Sequence, residues 1–252
     1  MARKKRSPAV AAPPVDREMV DRTVNDIRKR LQGAGRTELA DQLKKAYGDD
    51  LSCHGIKLID VHNIGMDFVR RLRSPGYAVS VAIAEDLYKS RNLEEGLIGA
   101  QLVGAMARHI SGGDFDRFEV WGGFLSNPQS ADALGLQCIS RAMAGRPSIA
   151  LKLVEWAKSD VPWCRVAAVS SFSPLVREGR FMTDALMVAE ELMTDENEDV
   201  QKAVGTMLME MTRLKSERVV EFLEPWKGNA QRSIVQAAAT KLMGSDREAV
   251  LG

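Results

Sequence analysis

The sequence has no apolar run near the roughly eighteen residues a membrane-crossing helix needs, and no signal-length apolar stretch follows its first basic residues. A soluble, cytoplasmic protein is the expectation. Cysteine is scarce: Cys53, Cys138 and Cys164 are widely spaced, cannot all pair and form no C-x-x-C. That argues against a disulfide frame and a zinc site, and the three histidines fall at unrelated places, so no cofactor is expected. There is no G-x-x-x-x-G-K-[ST], no G-x-S-x-G and no H-E-x-x-H, which sets aside nucleotide, serine-hydrolase and zinc-protease chemistry. Almost nothing reads as a strand.

A charge of one sign is also missing. The net formal charge is +1, but Arg3, Lys4, Lys5 and Arg6 stand alone at the N-terminus; with those four set aside, 31 basic side chains face 34 acidic ones. A protein that grips nucleic acid by its backbone concentrates Lys and Arg on one face, because release of counterions supplies most of the sequence-independent affinity. Here such a face has to be local, or supplied by the tail. Residues 1–15 hold three prolines and few large apolar groups, and are expected to be disordered.

What is present is helical periodicity over residues 16–252, read as a single domain. Val20, Val24, Ile27 and Leu31 recur on one helical face before Gly33 and Gly35 stop it. Thr37-Glu38-Leu39-Ala40 opens a second helix that Gly48 ends, and residues 60–73 form a third, broken by Ser74-Pro75-Gly76. Beyond Pro75 the chain becomes repetitive. C-R-V-A-A-V-S-S-F at 164–172 is echoed by V-Q-K-A-V-G-T-M-L at 200–208 and by I-V-Q-A-A-A-T-K-L at 234–242; Ala167, Ala203 and Ala237 are 36 and 34 residues apart. A unit of that length with small residues where helices cross predicts an all-α, α-α superhelix of HEAT-like repeats. On periodicity alone, such a scaffold binds a protein partner along its concave face.

Four segments carry a resemblance to a known family. S-D-V-P-W-C-R-V-A-A-V at 159–169 and D-V-Q-K-A-V-G-T-M-L-M-E at 199–210 resemble two helices, one repeat apart, of the AlkD-like alkylpurine DNA glycosylases. H-G-I-K-L-I-D-V at 54–61 and E-D-L-Y-K-S-R-N-L-E-E at 85–95 resemble two earlier landmarks in the same order. The resemblance implies a concave face that cradles duplex DNA and excises positively charged N3- or N7-alkylated purines in base excision repair without a metal; the expectation is a monomer, nucleoid-associated if it binds DNA.

It also implies roles for individual residues. Asp132 falls at the position of the family's catalytic aspartate; its other reading is an acid favoured by a helix start at the 127–132 junction. Arg165 matches an arginine that holds the DNA backbone, and can equally be a solvated helix-start charge; Lys202 sits on the matching helix one repeat on, where the two cations would line the same groove. Tyr47 falls near a tyrosine facing the lesion, and otherwise reads as a helix-end core residue. Four positions depart from the pattern: Pro128 and Thr206 replace tryptophans, and Val166 and Met209 replace arginines. These departures keep open a non-catalytic relative that binds DNA or a protein. Met207, Met209 and Met211 suggest an apolar helix face in the groove. Trp121, Trp156, Trp163 and Trp226 read as core.

Overall fold

A computed structural model describes residues 15–251. The basic tail, apart from Val15, lies outside the described residues. Fourteen α-helical segments follow one another among the described residues, joined by short turns and with no strand: α1 (Arg17–Ala34), α2 (Thr37–Tyr47), α3 (Leu58–Arg71), α4 (Tyr77–Lys89), α5 (Leu93–Gly104), α6 (Phe115–Gly122), α7 (Pro128–Leu134), α8 (Ser140–Gly145), α9 (Ile149–Ala157), α10 (Pro162–Val176), α11 (Met182–Leu192), α12 (Glu198–Leu223), α13 (Arg232–Ala238) and α14 (Gly244–Leu251). Among the described residues no helix is long and apolar enough to cross a membrane.

Local chemistry sets the boundaries. Asn92, Asn127 and Asn197 each accept backbone N–H bonds from the first turns of α5, α7 and α12, satisfying donors that a helix start leaves unpaired. Pro128 and Pro162 occupy first-turn positions where a missing N–H costs nothing. Two helices depart from regular geometry. α7 passes into α8 through a π turn at Gly135–Ile139. α12 is two helices merged across Lys215, whose φ of −147° and ψ of 63° are not helical.

Packing sorts the helices into two rows. In one row α3, α5, α7, α10, α12 and α13 each pack on the next; in the other, α1 packs on α4, α4 on α6, and α9 on α11. Pairs α4/α5, α9/α10 and α11/α12 join the rows, giving an α-α superhelix. The three similar segments of the sequence fall on α10, α12 and α13, neighbours in the first row. Small residues sit at their crossings for a steric reason. A Cβ on Gly135 would lie 2.7 Å from the Ala167 carbonyl oxygen, and one on Gly205 would lie 2.6 Å from the Ala237 Cβ.

The buried apolar side chains form two clusters. A smaller one runs from Val20 on α1 to Leu102 on α5, and a larger one from Val81 on α4 to Val250 on α14. Trp121 is fully buried, and Trp156, Trp163 and Trp226 pack against the larger cluster. Met207 and Met211 also belong to it, so only Met209 of that trio is partly exposed, and α12 presents no methionine face. Val166, a departure from the family pattern, is another core residue.

Candidate functional site

Three clefts run end to end along the first row of helices. The first, about 370 Å³, lies between α7, α10 and α12; the second, about 590 Å³, lies between α3, α5 and α7; the third, about 820 Å³, opens between α1 and α3. The first two share Gln129, Asp132 and Leu136, and the second and third share His62 and Met66, so together they make one trough.

Asp132 stands on the ridge between the first two clefts. Asn127 and Pro128 start α7, which places residues 131, 133 and 134 in the core and turns residue 132 outward. The Asp132 side chain is solvent-accessible but enclosed by neighbouring helices. That enclosure raises its carboxyl above the ordinary carboxylate value, opposed by a hydrogen bond from Ser170 and by the charge of Lys202. The Ser170 hydroxyl, almost fully buried on α10, donates to Oδ1 at 2.5 Å. Oδ2 accepts no hydrogen bond from the described residues.

Lys202 and Tyr47 line the first cleft with Asp132. Lys202 lies one turn into α12 from Asp199, whose carboxyl is likewise raised by partial burial and lowered by Lys202. Tyr47 ends α2; its hydroxyl accepts from Gln129 Nε2 at 3.0 Å, and its ring meets Trp163 edge-on with centroids 6.5 Å apart. Tyr47 therefore does not sit in the core: α2 buries no residue fully, and its last turn reaches across to α7 and α10.

Arg165 does not join them. Its guanidinium pairs with Asp195, Nε to Oδ2 at 2.7 Å and Nη2 to Oδ1 at 3.2 Å, while Nη1 donates to the Ser159 carbonyl at 2.7 Å. Both side chains are largely buried. Arg165 and Lys202 do not share the first cleft: Lys202 lines it and Arg165 does not, because the loop before α12 supplies an internal carboxylate that holds the guanidinium. Asp195 also accepts from the Asn197 N–H, so the same carboxylate braces the entry to α12.

The replaced positions shape the cleft directly. Pro128, Val166 and Thr206 all line it, and the Thr206 hydroxyl is occupied by the Lys202 carbonyl. Around the first cleft, Asp132, Asp199 and Glu210 outnumber Arg177 and Lys202, and Arg177 leans toward Glu210 at 3.9 Å. The surface is therefore slightly acidic and partly apolar. Among the described residues no cluster of three or more His, Cys, Asp or Glu could hold a metal ion.

Sequence reasoning missed Ser170 and Gln129. Ser170 belongs to the similar segment at 164–172, but nothing in its spacing says that its hydroxyl faces an acid 38 residues earlier. Two of the earlier landmarks prove to touch: buried Glu94, from 85–95, accepts the backbone N–H groups of His54 and Gly55, each at 2.9 Å, and of Ile56 at 3.2 Å, from 54–61.

No curated protein matches the chain. A family model described as DNA alkylation repair enzyme matches residues 27–242, a span that takes in every residue lining the trough. With the match covering most of the chain and both rows of helices, the protein belongs to the DNA alkylation repair enzyme family.

Proposed function

We propose that the protein excises positively charged N3- or N7-alkylated purines from duplex DNA lying along the trough, with Asp132 as the catalytic carboxylate. The observation that carries this is the placement of Asp132: solvent-accessible, on the shared wall of two clefts, with one carboxylate oxygen held and the other unbonded among the described residues. As the C1′–N bond breaks, its electron pair goes to the departing purine and discharges the ring, while positive charge builds on the sugar. An enclosed carboxylate stabilises that charge and orients the water that adds to C1′, the surplus proton passing to solvent. The slight acidity of the first cleft supports the same reading, since the alkylated base and the sugar transition state are both cationic.

The test is release of N7-methylguanine from methylated duplex DNA. Wild-type protein is expected to release it, and Asp132→Asn to do so about 100-fold or more slowly. Equal release by the two proteins would overturn the assignment.

A second reading is favoured by one set of observations. Arg165 is committed to Asp195, and Val166 and Thr206 put neither an arginine nor a tryptophan into the cleft. A non-catalytic relative of this kind binds damaged duplex, or a protein partner, and releases no base.

A further inference from the structure

The structure carries a device around Asp132 that spacing did not suggest. Immediately after Asp132 the helix widens into the π turn that begins at Gly135, an irregularity often found beside functional groups. Across the crossing, α10 is irregular as well: Pro174 has no N–H to give to the carbonyl of Ser170, four residues earlier. The two irregular stretches face each other at closest approach. A Cβ on Gly135 would lie 2.9 Å from the Ser170 Cβ and 3.0 Å from the Ser171 nitrogen, so only glycine lets the helices come this near.

The consequence is a short hydrogen bond from a buried hydroxyl to a solvent-accessible acid. Serine inside a helix commonly turns its hydroxyl back to the carbonyl four residues before it, as Ser171 does to Ala167 at 2.6 Å. Ser170 instead donates outward to Asp132.

We propose that Ser170 is a positioning residue for Asp132, fixing the carboxylate through Oδ1 and leaving Oδ2 for the substrate. This rests on the glycosylase reading for its consequence in catalysis, but the local claim is separable from it. The other charged or titratable groups facing the two clefts beside Asp132 are Tyr47 on α2, His62 on α3, Arg177 on α10, and Asp199, Lys202 and Glu210 on α12. Among them Lys202 also favours ionisation, so Ser170 and Lys202 together offset the enclosure that raises the carboxyl.

The measurement is a carbon-13 NMR titration of the Asp132 side chain in the full chain, without substrate, for wild type, Ser170→Ala and Ser170→Cys. Loss of the donor is expected to move the Asp132 midpoint upward by about one unit in the alanine variant and by less in the nearly isosteric cysteine variant. The pH profile of N7-methylguanine release should then move its acid limb upward by the same amount. If neither variant moves the midpoint, with both folded by circular dichroism, the positioning role is wrong whatever the enzyme does. If the midpoint moves while Asp132→Asn releases base as fast as wild type, the positioning of Asp132 stands and the glycosylase reading is what fails.

Discussion

Arg165 shows how a side chain can fit a motif and serve another purpose. The W-x-R start of α10 marks a residue with two uses, and the choice between them depends on Asp195, thirty residues downstream in a loop of no distinctive pattern. Truncating Arg165 to alanine would strand a largely buried carboxylate, and a stability loss of about 3 kcal/mol by urea denaturation is the expected outcome. A phosphate-holding arginine behaves otherwise: its loss leaves stability near wild type and lowers the salt dependence of DNA binding by about one unit of slope. Asp132, Lys202 and Tyr47 were legible as candidates from family position alone, and all three line the first cleft. Ser170 was not, since its role is created by two helices meeting and a serine within a helix gives no outward sign of its partner.

At the scale of elements, the sequence announces the helices far better than their departures from regularity. Apolar spacing and the glycine and proline stops place α1, α2 and α3 within a few residues, and the similar segments fall on adjacent helices of one row. Neither the π turn after Asp132 nor the break at Lys215 has a signature in the local sequence. In the connection between α2 and α3, one buried group, Glu94, gathers three backbone N–H donors. Glu94→Gln would turn an amide N–H₂ toward at least one of those donors. A cost of about 2 kcal/mol is expected, with amides of residues 54–56 and α2 losing protection in hydrogen exchange before those of α10 or α12.

For the molecule as a whole, the decisive feature is a trough whose first cleft is not basic. A duplex resting there needs cations from elsewhere, and the sequence offers four of them at positions 3–6. Removing residues 1–15 is expected to lower the slope of log binding constant against log salt by about 3 to 4, because each phosphate contact contributes nearly one counterion. A slope that stays the same would assign the electrostatic grip to the helical body.

The helices α4 and α5 have a further consequence. Val79, Ile83, Leu87, Ile98 and Leu102 face one apolar cluster, while Val81, Ala84, Tyr88, Ala100 and Val103 face the other. His62 and Met66 belong to the near jaw, Asp132 and Lys202 to the far one. The pair therefore acts as a shim. Exchanging a fully buried alanine such as Ala84 or Ala100 for a bulkier side chain is expected to overpack the seam between the clusters, a loss of about 1–3 kcal/mol by urea denaturation, without touching any group that lines the first cleft.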